Sequence, residues 1–317
     1  MTTSWISRRK MMQFTVAAAM GAAMKNTRLF AAEPAEDPMR KMFGQKLAFT
    51  DLGDGIQLVA NAGGNIVMSK GADGILVIDS GVNLRSKDLV AAAEQIAPGA
   101  KRKILFNTHW HFDHTGGNAD FAEAGYVIAG SAACRKRLGE TILLEDMGMT
   151  VNPLPEGSRP TVTFEETMDL YQGAPAHVVK FAPAHTDTDS VVIFAKSGVL
   201  HTGDLLFNGA FPVIDRSTGG SLDGMMAASK RLLEMTDDKM KVVPGHGPLG
   251  DKTSIAAQLE MMQLTRDRLA PLGEKKMTMD EVLTKAPLAD LDDKWGRGFL
   301  RSPTYTRMAY GQWVTAK

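Results

Sequence analysis

The chain has 317 residues, 44% of them hydrophobic, enough for one large domain or two small ones with full cores. Lysine plus arginine and aspartate plus glutamate stand at 36 each, so no net charge favours nucleic acid or an anionic membrane surface as a partner. The single cysteine, Cys134, has no partner for an internal disulfide and fits a small buried position at a helix start.

The chain opens with SWISRRKMMQFTVAAAMGAAMKNTRLFAAEPA. Arg8 and Arg9 precede an apolar run at 14–24, and Lys25 and Arg28 follow it. That run is too short to span a bilayer and has the length of a signal h-region. The Ser-Arg-Arg-x arrangement resembles a twin-arginine export signal, set against a short amphipathic helix as the alternative. Residues 1–32 are therefore read as a signal peptide, with cleavage near 31–35. A periplasmic or exported protein is expected, with no membrane association once the signal is removed.

An acidic linker, EPAEDPMRK, leads into IQLVA, NIVMS and GILVIDS, three strand-like runs that read as a meander. Leu89, Ala93 and Ile96 share helical spacing, which predicts a helix over 84–97. KILFN is an apolar buried strand, and helices are expected at 118–124 and 132–144. A loop at 152–160 divides the chain. TMDLY, HVVKF, VVIFA and GVLHTGD then read as strands, followed by a helix near 222–235 and a last strand in KVVPGHGP. From Thr253 onward the pattern is helical, with Thr278 and Glu281 forming a capping box. Strands followed by helices, twice over, imply packed sheets with helices outside.

The chemistry concentrates in HWHFDHTGG, residues 109–117, directly after KILFN. His109 and His111 alternate in extended backbone, so their rings point the same way. Neutral imidazole is the commonest metal ligand, and carboxylate oxygen suits zinc, iron or manganese. Further donors stand at other strand ends: His185 in APAHTDTDS, Asp204 in HTGD and His246 in VPGHG. Of the seven histidines, only His177 and His201 lie within or at the start of strands, where a structural role is expected.

H-x-H-x-D-H, then A-H-T, T-G-D and P-G-H-G, in that order, resembles the metallo-β-lactamase superfamily. The resemblance runs from about Ile56 to Gly250. It implies an α/β fold of the αβ/βα sandwich type over 45–250, with 251–317 as a helical extension packed on the same domain. Carried over position by position, it implies that His109, His111 and His185 hold one metal. Asp113, His114 and His246 would hold a second, with Asp204 bridging. Two zinc ions are implied, iron and manganese being alternatives. The chemistry is then attack by a metal-bridging hydroxide on an ester, lactone, thioester or β-lactam carbonyl of a small-molecule substrate. The resemblance also implies that Asp113 is the catalytic carboxylate, orienting the nucleophile.

Within the family, aspartate rather than cysteine at 204 points away from the best-known lactamase subclass. Phe207 stands where homoserine-lactone hydrolases place a tyrosine. Phe207, Asn208, Phe211 and Arg216 are candidate substrate-binding residues, and WGRGFLRSPTYTRMAYGQW is read as a helix packed on the core. Two other classes are weighed: a mononuclear iron enzyme similar to sulfur dioxygenases, and a non-catalytic periplasmic accessory protein. Retention of all seven ligand positions favours the hydrolase.

Overall fold

A computed structural model describes residues 44–72 and 74–314; the signal-like segment lies outside the described residues. The N-terminal half builds a seven-stranded sheet. β1 (Ala48–Gly53), β2 (Ile56–Ala62), β3 (Gly64–Lys70) and β4 (Gly74–Ile78) form an antiparallel meander. β5 (Arg102–Asn107) and β6 (Val127–Ser131) then add in parallel. A short hairpin, β7 (Ile142–Leu144) and β8 (Met149–Val151), precedes β9 (Val162–Phe164), which closes the sheet beside β6. The second sheet runs β10 (Thr167–Leu170), β11 (Ala176–Lys180), β12 (Ser190–Phe194), β13 (Val199–His201) and β14 (Lys241–Val243). Its pairings are antiparallel except for β13 with β14.

Alternation along the strands explains the layers. Ile56, Leu58, Leu76 and Phe106 of the first sheet meet Val178, Val192, Phe194 and Val199 of the second, forming the inner core. Intervening residues point outward: Val77 and Leu105 pack under the helices Ser86–Ile96 and Asn118–Glu123. Val191, Leu200 and Val242 pack under the helices Leu222–Met235 and Lys252–Glu274. With both faces covered, these strands read as nearly continuous apolar runs. The result is the αβ/βα sandwich. The residues after Lys252 share the outer core of the second sheet through Ile255, Met262, Leu269 and Tyr305. Among the described residues, no helix is long and apolar enough to cross a membrane.

The helix expected over 132–144 is corrected. It spans only Ala132–Arg137, its start capped by Ser131 accepting the Cys134 N–H. Leu138 and Gly139 end it, and Ile142–Leu144 instead opens the β7–β8 hairpin. Strands β1, β6 and β9 were not foreseen, each being short or flanked by stronger helical patterns. Cys134 is buried beside Trp110, Leu138 and Ile142, as its composition suggested.

Candidate metal centre

Strand ends deliver the site. β5 runs into His109 and His111, and the single helical turn Phe112–Thr115 carries Asp113 and His114. His185 comes from the β11–β12 loop, Asp204 from the turn after β13, and His246 from the loop after β14. The donor atoms of His109, His111, His185 and Asp204 all lie within 4.8 Å of one another, and so do those of Asp113, His114 and His246. Asp204 stands between the groups: its carboxylate is 3.4 Å from His185 Nε2, 3.7 Å from His109 Nε2, 3.0 Å from His114 Nε2 and 3.4 Å from His246 Nε2. Asp113 Oδ2 is 3.1 Å from His246 Nε2. A Cβ at Gly245 would overlap Asp204 Oδ1, and one at Gly64 would overlap the His114 ring, so the backbone approaches both groups at glycine.

Each of four rings is oriented by a bond on its far side. His114 Nδ1 donates to Asp79 Oδ2 at 2.8 Å, and His111 Nε2 donates to Asp215 Oδ2 at 3.2 Å. His185 Nδ1 donates to the Val213 carbonyl at 2.7 Å, and His109 Nδ1 to Thr108 Oγ1 at 3.0 Å. The remaining nitrogen of each ring, Nε2 for His109, His114 and His185 and Nδ1 for His111, faces the centre. Asp189 accepts the backbone N–H groups of His185 and Thr186 and the Thr186 hydroxyl, so it fixes the loop rather than the ring.

The donor set fits metal ions. His109 Nε2 and Asp204 Oδ1 are buried without a hydrogen-bond partner, a costly state in a protein interior. His111 Nδ1 and His185 Nε2 face each other at 2.8 Å, as two lone pairs directed at a cation would. Burial pushes His109 well below the usual imidazole range and His185 down to about 4, leaving both neutral and able to ligate. For His114 and His246 burial acts the same way, but the Asp204 charge outweighs it. His114 is raised well above the usual range and His246 to about 9. Burial opposes ionisation of Asp113, yet the His114 charge and the His246 hydrogen bond hold its carboxyl at about 2. Two ionised carboxylates thus draw protons onto His114 and His246, charge that a bound cation replaces.

Two cavities open on this centre. One, of about 310 Å³, is walled by Phe112, Leu144, Met147, Met149, Val213 and Phe299. Leu144, Met147 and Met149 come from the β7–β8 hairpin, of which the helix expected over 132–144 reaches only the first strand. The other, of about 520 Å³, is lined by Asn61, Asn65, Asn208 and Arg297. Phe207, His246 and Phe299 border both. Phe207 stacks on the His246 ring (centroids 5.0 Å apart, planes at 22°), and Phe299 meets that ring edge-on at 4.8 Å.

Of the residues expected to bind substrate, Phe207 and Asn208 line these cavities, the latter with its amide donated to the Pro248 carbonyl. Arg216 lines a third cavity beside His111 and is paired with Asp146 at 2.8 Å. Phe211 lines none of these; it is buried in the core, stacked on Tyr305 with centroids 4.5 Å apart. Phe211→Leu should therefore cost about 1–2 kcal/mol in urea unfolding, through lost stacking and packing, while leaving metal content unchanged. Sequence reading missed Asp79 as an orienting carboxylate, although it ends a buried strand as the ligands do. It also missed Arg297 and Phe299.

The family model described as the metallo-beta-lactamase superfamily matches residues 61–246, and the chain belongs to that superfamily. Acyl-coenzyme A thioesterase MBLAC2 of Gallus gallus is 28% identical over 200 residues, covering 57% of this chain and 72% of the relative. Hydroxyacylglutathione hydrolase of Synechococcus sp. (strain JA-3-3Ab) is 33% identical over 142 residues, 44% of this chain and 48% of that protein. Among solved structures, a metallo-beta-lactamase from Pontibacter korlensis superposes with a TM-score of 0.56 at 21% identity, covering 69% of this chain and 99% of the other. The sec-alkylsulfatase Pisa1 from Pseudomonas sp. gives 0.61 at 14% identity, over 84% of this chain and 50% of that one. The structural likenesses establish the shared fold.

Proposed function

We propose that the protein is a zinc-dependent hydrolase of acyl thioesters with an apolar acyl group. His109, His111 and His185 hold one zinc, Asp113, His114 and His246 hold the second, and Asp204 bridges them. The observation that carries this reading is the apolar cavity whose inner end is formed by His111, Asp113, Asp204 and His246. An acyl chain laid along Phe112, Met147 and Met149 presents its carbonyl to the centre. Bound there, two zinc ions supply a water acidified toward neutrality and an electrophile for the carbonyl oxygen.

The chain's own groups do the rest. Neutral His109 and His185 direct lone pairs inward, and ionised Asp113, at the cavity edge, orients the attacking water and receives its proton. Phe207, packed on His246, has no proton to give a leaving group. A thiolate tolerates that, because thiols ionise near pH 8.5, whereas an alkoxide or amine needs a general acid. Two relatives are named as thioester hydrolases, which agrees with this preference.

The test is a panel of one acyl group on a thiol, an alcohol, a lactone and a β-lactam, with zinc-loaded protein. General acids contribute roughly 10²–10⁴-fold, so the thioester should exceed the oxygen ester by about a hundredfold in kcat/KM. Chelation should remove the activity, and elemental analysis should give two zinc per chain. A metal-replete protein that leaves thioesters intact, or prefers the lactam, refutes the reading.

A further inference from the structure

The second cavity is distinguished by its charge. Asn61 donates its amide to the Lys46 carbonyl at 2.8 Å, Asn65 to the Pro244 and Gly247 carbonyls at 2.9 Å each, and Asn208 to the Pro248 carbonyl at 2.9 Å. Asn65 spends both amide donors, and Asn61 and Asn208 one each, on holding the loops, and none of the three carries charge. Arg297 is different. Its Nε donates to the Asp293 carbonyl at 2.8 Å, which fixes the stem, and among the described residues no carboxylate pairs with its guanidinium. No aspartate or glutamate lines the cavity. The turn that presents Arg297 is held at both ends by buried Trp295 and Leu300, and the Trp295 carbonyl accepts the Phe211 N–H at 2.8 Å. Phe299, two residues on, forms the partition between this cavity and the apolar one.

Because both cavities share Phe207, His246 and Phe299 at the metal centre, a bond cut there has one half of its substrate on each side. We propose that Arg297 is a specificity-determining residue that binds an anionic group, phosphate or carboxylate, on the thiol leaving group, while the apolar cavity takes the acyl chain. The assignment of halves rests on the thioester reading above. A guanidinium fixed at Nε, with its terminal nitrogens free, is suited to either anion through a charge-assisted bond. The 297–299 turn thereby couples both selections: Phe299 bounds the acyl side and Arg297 reads the other.

Binding is measured first, with S-methyl coenzyme A and S-methyl glutathione, which carry the phosphates or the carboxylates but no bond to cleave. In the zinc-loaded full chain, Arg297→Gln should weaken at least one of them about five- to tenfold, the worth of one charged hydrogen bond at a partly exposed site. Arg297→Lys should recover part of the loss, and added salt should erode wild-type binding more than that of the Gln variant. The probe that loses more identifies phosphate or carboxylate as the anion. Thioesters of one acyl group with coenzyme A, glutathione and uncharged N-acetylcysteamine give the second readout. The kcat/KM ratio of charged to uncharged substrate should fall by the same factor in Arg297→Gln, through KM. Equal binding by wild type and variant, or binding of neither probe, overturns the proposal. Probe binding that depends on Arg297 without thioester turnover leaves the anion site standing and refutes the function instead.

Discussion

Asp204→Ala is expected to release zinc from both halves of the centre and to lower thioester kcat/KM by at least about a thousandfold, the several kcal/mol that metal-assisted hydrolysis supplies. Among the described residues, no other carboxylate stands within 4 Å of four imidazoles of the cluster. Its charge is the largest influence holding protons on His114 and His246 against burial. Without it, the first group keeps three imidazoles and no carboxylate, and the second keeps Asp113 as its one carboxylate. The glycine at 245 leaves the backbone close-packed on the carboxylate, so a truncated side chain leaves a small polar void that no neighbouring side chain fills. Elemental analysis after dialysis, with melting temperature measured with and without zinc, separates loss of metal from loss of fold. Zinc should raise the wild-type melting temperature, because the folded state binds it preferentially, and should barely shift the variant. A variant that retains two zinc and a tenth of wild-type activity would contradict the bridging role.

The candidate metal centre was legible because its residues break a strong pattern. Histidines and aspartates are poorly suited to the ends of buried strands unless something there requires them, and His109, His111, Asp113, His114, His185, Asp204 and His246 all occur in that setting. The structure brings all seven together, from segments far apart in the chain. The sandwich was legible for a related reason: runs such as GILVI and VVIF are apolar on both faces, which fits strands covered from two sides. The substrate cavities were not legible. Leu144, Met147 and Met149 lie in a hairpin whose strands have three residues each, too few for alternation to stand out from a helical run. In WGRGFLRSPTYTRMAYGQW, expected to be one helix, the α-helix spans only Ser302–Tyr310 after a non-helical 296–301. Trp295, Tyr305 and Tyr310 are core residues as expected, but Phe299 is 46% exposed and faces the centre. Composition alone does not separate an aromatic that anchors a turn from one that the turn presents. Phe211 is the converse case, placed among pocket residues by its neighbours in sequence yet turned into the core against a helix almost a hundred residues away.

Asp79→Asn and Asp215→Asn should each weaken zinc binding about 10- to 100-fold, the usual effect of losing a carboxylate that orients a ligand histidine, Asp79→Asn at both metals and Asp215→Asn at one. Asp79 adopts a left-handed backbone (φ 64°), which asparagine tolerates well, so the fold is preserved. Its Oδ1 accepts the Thr108 N–H at 2.8 Å, and its Oδ2 accepts both His114 Nδ1 and, at 2.7 Å, the Thr108 hydroxyl that orients His109. In asparagine the oxygen must stay on the backbone N–H, a buried donor with no alternative, which turns the NH₂ toward His114. That ring then keeps its lone pair at Nδ1 and its proton at Nε2, the atom directed at the centre. Asp215 repeats the logic. Oδ1 accepts the Ser217 N–H at 3.0 Å, so the amide NH₂ of an asparagine would face His111 Nε2 and move the proton to Nδ1. The wrong tautomer blocks ligation without removing a ligand. Asp79→Asn should therefore weaken the zinc held by His114 and, because the Thr108 hydroxyl then donates to His109 Nδ1, the zinc held by His109 as well, whereas Asp215→Asn should deplete only the zinc held by His111. Cobalt substitution reads the difference: Asp79→Asn should lose the absorption of both sites at lower chelator concentration, and Asp215→Asn that of one site while keeping the other. Equal loss from both sites in Asp215→Asn would mean that this carboxylate acts through the fold as a whole rather than through the tautomer of one ring.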